Sequence, residues 1–322
     1  MCRQASHAGS WYSNDRATLD RQLSQWLDTV AQTAGPGEIP DHGVRAIISP
    51  HAGYAYSGQA AAYAFQCLGN NDIKRVFILG PSHHVYLKHC ALSNCKEYET
   101  PLGNLILDTD VIADLKKTNV FGTMSRNVDE DEHSIEMQLP YLYKIHGKEK
   151  TVKVIPVLVG NLDQDSEQEY GQVFAKYLAN KANFFIISSD FCHWGTRFRY
   201  TFYSPDDLPS SSPGLVEDYK DLHLPIYRSI ENLDREGMKL LETLVSAKFY
   251  EYLEKTENTI CGRHPIGILL QAIEQLPTTD EGDQVTKCQV QLKFVYYAQS
   301  SEVHSPRDSS VSYASAYVTI DS

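Results

Sequence analysis

The stretch "NTICGRHPIG" (Asn258 to Gly267) holds Cys261 where a loop turns into the apolar run "ILLQAI". With Pro265 at the first helical position, His264 falls near the N-cap and Cys261 just ahead of it. Backbone N–H groups, the positive end of the helix and Arg263 would all favour a thiolate there. Three further clusters lie elsewhere in the chain. "SPHAGY" carries His51, "GPSHHV" carries His83 and His84, and "SSDFCHWG" carries Asp190, Cys192 and His193. Spacing leaves Cys261 open as a packed thiol, a nucleophile or a metal ligand. As a nucleophile it would be activated by His193, with Asp190 orienting the imidazole, as in a cysteine hydrolase. As a ligand it would join His51 and His83 in a two-imidazole, one-thiolate set suited to copper, zinc or iron. His193, positioned by Asp190, would then act as an acid or base beside the metal.

The elements that must position these residues are legible as hydrophobic runs. "VRAIIS" (44–49), "RVFILG" (75–80), "VKVIPVLVG" (152–160) and "NFFIISSD" (183–190) are near-continuous apolar stretches, as in parallel strands covered on both faces. Helical spacing separates them in "GQAAAYAFQCL", "TDVIADLKKTN", "HSIEMQLPYLYKI" and "SEQEYGQVFAKYLAN", and continues in "IYRSIENLDREGMKLLETL" and "AKFYEYLEKT". The tail segments "VQLKFVYYAQS" and "SSVSYASAYVTI" alternate with period two and are expected at or near a sheet edge. The pattern predicts a single α/β domain over 1–322, with a mostly parallel central sheet and helices on both faces. Three of the four strands then deliver their polar cluster to one carboxyl edge, where open parallel sheets bind ligands. Residues 204–225, rich in Ser, Pro and Asp, are expected to be a flexible surface insertion. His84, His89 and His146 are expected to be ordinary turn or hydrogen-bonding residues. His133 and Glu136, three apart on one helix, either share a pocket or only open an acidic helix.

Composition narrows the function classes. The 322 residues are 42% hydrophobic and 22% charged, with a net charge of -12, which disfavours a nucleic-acid partner. No run approaches the roughly eighteen apolar residues of a membrane span. Seven scattered cysteines and an amino terminus without signal-peptide layout point to a reducing, cytoplasmic setting.

The blocks "ASHAGSWY", "SPHAGYAYSG", "FILGPSHHV", "DEDEHSIEMQLPY", "IPVLVG", "SSDFCHWG", "NTICGRHPIG" and "DSSVSYASAY" occur in an order that resembles the Memo family, mediators of ErbB-driven cell motility. The likeness runs from about Cys2 to the last strand. It breaks near 35–41, at 204–225 and around 277–287. The resemblance implies a fold like that of class III extradiol non-haem iron dioxygenases, which hold iron with two histidines and a carboxylate. His51 and His83 match the histidines, Cys261 stands in place of the carboxylate, and His193 matches the acid/base histidine beside Asp190. A thiolate softens such a site and favours copper, or iron, in one-electron redox chemistry over ring cleavage. The family also implies a signalling adaptor whose cleft takes a phosphotyrosine peptide from receptor tyrosine kinases. Trp11 and Tyr56 would supply its aromatic walls, and Arg197 and Arg199 the counter-charge.

Overall fold

Four runs of β-branched and aromatic residues become the parallel heart of the sheet in a computed structural model of the chain: β1 (Val44–Ser49), β2 (Arg75–Pro81), β3 (Lys153–Val159) and β4 (Asn183–Ser188). The structure describes residues 1–35, 38–40, 42–69, 73–147, 152–204, 214–215, 224–276, 279–281, 284–286 and 288–321, with backbone alone at 214–215, 279–281 and 284–286. Most of the expected 204–225 insertion therefore lies outside the described residues. Two long tail strands, β5 (Gln289–Gln299) and β6 (Ser310–Asp321), complete the main order β3-β2-β4-β1-β6-β5. Neighbours among β1 to β4 run parallel, whereas β6 is antiparallel to β1 and β5 antiparallel to β6.

Helices flank both faces. Arg16–Thr33, capped by the Asp15 carboxylate on Thr18 N–H, packs with Tyr54–Gln66 on one side of the sheet. Gln164–Leu178 and Arg263–Glu274 pack together on the other, over β2 and β4. Phe77 and Phe185, side by side on β2 and β4, stack at 4.7 Å and face Phe174 of the covering helix. All three are buried, and each such side chain contributes about 1.5–3 kcal/mol of burial free energy.

Two local features have physical causes. Pro156 lies inside β3, where a missing N–H should break a ladder. Its outer neighbours change at that point: Leu105–Leu107 pairs only with Lys153 and Val154, and Cys90–Leu92 only with Val157 to Val159. The proline occupies the gap. The expected helix over 133–145 is instead two helices, His133–Glu136 and Leu139–His146. Pro140 cannot donate into a continuous ladder, so the chain breaks before it.

A candidate metal centre at the carboxyl edge

The order β2-β4-β1 sets the carboxyl ends of three strands side by side, so the residues that follow them meet. His51 follows β1, His83 follows β2, and Asp190 and His193 follow β4; all four line one cavity of about 580 Å³. Cys261 arrives from the loop before Arg263–Glu274, its Sγ 3.1 Å from His51 Nε2. Ligand atoms of His51, His83 and Cys261 all lie within 4.8 Å of one another.

Hydrogen bonds fix the imidazoles. Ser188 Oγ donates its one proton to the Ser134 carbonyl at 2.7 Å and accepts from Gln138 Nε2. The 2.8 Å contact between Ser188 Oγ and His51 Nδ1 therefore has His51 as donor, which leaves Nε2 with the free lone pair. His83 Nδ1 meets the Glu132 carboxylate at 2.8 Å, and Glu132 also accepts the His83 backbone N–H. His193 Nδ1 faces two carbonyls, Phe191 at 2.9 Å and Thr259 at 3.2 Å. All three rings thus carry a proton on Nδ1, the orientation metal-binding histidines use. Burial, then the neighbouring His83, pulls the His51 pKa well below its ordinary value and keeps the ring neutral.

Three expectations are corrected here. The last helix begins at Arg263, with Gly262 as N-cap and Pro265 in its third position. Proline is tolerated there because the first turn's N–H groups have no partner within the helix. Cys261 is not an activated thiolate: burial, and then the Asp190 charge, push its thiol well above the usual range. Asp190 does not orient His193; its Oδ1 accepts the His51 backbone N–H at 2.8 Å. Burial raises the Asp190 pKa, and the charge of His193 opposes that rise.

The cavity wall also settles the pair His133 and Glu136, which part company. His133 stacks on His83, ring centroids 4.4 Å apart, and on Trp11 at 4.2 Å; its buried Nδ1 has no hydrogen-bond partner. Burial, then His51 and His83, hold its pKa down at about 3. Glu136 turns away to Arg3, His7 and Tyr12. Glu132, Ser188 and Thr259 are site residues that sequence reasoning did not single out; the acidic block "DEDEHSIEMQ" was the visible signal for the first. His83, Glu132 and His133 form a second group with ligand atoms in mutual reach, overlapping the first. Trp11, Tyr56 and Arg197 line the cavity, with the Arg197 guanidinium 4.4 Å from the centre of the Phe198 ring. Arg199, exposed in left-handed conformation at φ 58°, is not among the lining residues. Neither are His84, His89 and His146.

A single α/β domain with a histidine- and cysteine-bearing cleft at its carboxyl edge is the class this geometry defines. Residues 3–317 match the family model described as Memo-like protein. The rat and human proteins called Protein MEMO1 are 48% and 47% identical to this chain over 321 residues, covering 99% of it and 98% of their own length. The Protein memo-1 homolog of Caenorhabditis elegans is 46% identical over 318 residues, covering 99% of this chain and 83% of its own. The chain belongs to the Memo-like family. A solved structure of an uncharacterized Escherichia coli K12 protein aligns with 84% of this chain and 99% of its own. Its TM-score of 0.45 and 10% identity make it too distant to bear on the site.

Proposed function

We propose that the cleft is a mononuclear centre for copper or iron, held by His51, His83 and Cys261, in a cytoplasmic protein of redox-linked signalling and cell motility. The observation that carries this reading is the convergence of two Nε2 lone pairs and a thiol, each imidazole oriented from behind by Ser188 or Glu132. A bound copper or iron ion would supply one-electron redox chemistry, and Cys261 would have to give up its thiol proton to hold it. His193 keeps a free Nε2 in the same cavity, where it can take or return a proton, while Asp190 fixes the backbone that carries His51. Anaerobic titration of the metal-free protein with Cu(I), Fe(II) and Zn(II) tests the assignment. One ion is expected per chain, with at least tenfold weaker binding in Cys261→Ser and unchanged stoichiometry in His133→Ala. Affinity indifferent to Cys261→Ser would refute the ligand set. Loss in His133→Ala with no loss in Cys261→Ser would move the centre to His83, Glu132 and His133.

A phosphotyrosine-peptide adaptor is supported by a separate observation, the presence of Trp11, Tyr56 and Arg197 around the same cavity. Calorimetry of a phosphotyrosine peptide against metal-stripped protein distinguishes the two. Binding that survives metal removal and is lost in Arg197→Ala supports the adaptor; binding that requires metal opposes an independent peptide site. A metal-free Cys–His hydrolase is disfavoured by the raised thiol pKa and by the contact of Cys261 with His51.

A further inference from the structure

At the opposite, amino-terminal edge of the sheet a second cavity of about 610 Å³ opens between the starts of β1, β2 and β4. Its walls carry Arg45, Lys74 and Lys181, three cations in a chain whose net charge is -12. Arg45 is the unusual member. Its neighbours pair regularly with β6, Ala46 with Val318 and Val44 with Thr319, so Arg45 is the extra residue of a β-bulge. Bulges re-aim the side chain they carry, and this one lines the cavity. The chain enters the bulge through Gly43 at φ 79°, a left-handed conformation that glycine adopts without strain. Arg45 is only 6% exposed, yet its Nε has no hydrogen-bond partner. Burying such a donor unsatisfied is costly, and folded cores rarely carry one without use. Among the described lining residues the one acidic side chain is Asp321, whose Oδ1 lies over Gly43. Among the described residues neither Lys74 nor Lys181 is engaged in an ion pair.

We propose that this cavity binds a phosphate-bearing small molecule, with the Arg45 guanidinium as the buried anchor and Lys74 and Lys181 closing on the anion from the rim. Among the described residues, three cations face one carboxylate, an excess of two positive charges that complements a phosphomonoester dianion. A planar guanidinium with a vacant donor suits two phosphate oxygens, and lysines act as movable point charges. The volume is that of a small-molecule pocket and leaves room for an organic body beyond the phosphate. The site lies at the other end of the strands from His51 and Cys261, so it is independent of the metal centre.

Titration of the full-length protein with inorganic phosphate and with ribose 5-phosphate, at fixed ionic strength, tests the proposal. Saturable one-to-one binding is expected, at least tenfold weaker in Arg45→Met and similarly weakened in the surface double variant Lys74→Ala/Lys181→Ala. Asp321→Asn should tighten it about threefold by removing a like charge, and Cys261→Ser should leave it unchanged. Tighter binding of ribose 5-phosphate than of phosphate assigns the remaining volume to an organic group; equal binding assigns the site to phosphate itself. Absence of saturation with both probes would overturn the proposal, as would affinity unaltered in both the Arg45 and the double-lysine variants of native-like circular dichroism.

Discussion

The imidazoles of His51, His83 and His193 are each tied through Nδ1 to a protein acceptor, and that acceptor sets how Nε2 is presented. His83 depends on Glu132, a buried carboxylate that also accepts the N–H groups of His83 and Ser134. Burial works against its ionisation, but the His83 hydrogen bond and charge win, so its pKa is lowered and it remains a carboxylate. Glu132→Gln keeps the shape and loses the charge that makes His83 a stronger base. Metal affinity should fall roughly tenfold or more, measured by competition with a chelator of known strength. Retained affinity would show that His83 is not a ligand. Little of this supporting shell was legible in the sequence. His51, His83, His193 and Asp190 were, because strand ends announce themselves as the end of an apolar run. Ser188, Thr259 and Glu132 act through hydrogen bonds across 49 to 137 positions of chain, and no spacing rule records such contacts.

The element that matters most at the next scale is the loop between Ser246–Thr256 and the last helix. Gly262 lies so close to the end of β4 that an added Cβ would stand 2.3 Å from Ser189 Cβ and 2.5 Å from the Ser188 carbonyl oxygen. One backbone oxygen and a short side chain leave nowhere to move. Gly262→Ala should therefore displace the loop, cost roughly 1–3 kcal/mol in stability and abolish one-to-one metal binding. Urea unfolding and metal titration of the same sample measure both effects. A variant with parental midpoint and stoichiometry would mean that the loop's position is not what holds Cys261 in place. The four parallel strands and the two tail strands follow the sequence because their hydrophobic patterns are long and regular. The break before Pro140 and the early start of the last helix do not. Both turn on which backbone N–H groups find partners, a property of three-dimensional neighbours.

Across the whole molecule, two buried carboxyls give stability opposite dependences on pH. Burial alone would raise Glu136, but hydrogen bonding from His7 and the Arg3 charge hold it at about 2, below the ordinary 4.5. Its contribution, on the order of 3 kcal/mol, is complete above pH 4.5 and is lost as pH falls toward 2. Asp234 is raised by burial to about 6 from 3.8, against hydrogen bonds from Ser312, Asn258 and Tyr297. Its contribution grows as pH falls from above 6 toward 4. Melting temperatures at pH 7, 5 and 3 should show Glu136→Gln with a shallower acid loss. Asp234→Asn should lack the gain between pH 7 and 5. Identical profiles for parent and variants would place the acid sensitivity elsewhere. The distance between ligands along the chain has a last consequence. Cys261 follows His51 by 210 positions. At about 5–20 residues per second, a ribosome adds Cys261 roughly 10–40 seconds after His51. Once His83 has been added, the two histidines are present without the sulfur until Cys261 is made. On the proposed ligand set, metal loading is then a late event in the life of the nascent chain, and any product ending before Cys261 lacks one of the three ligands.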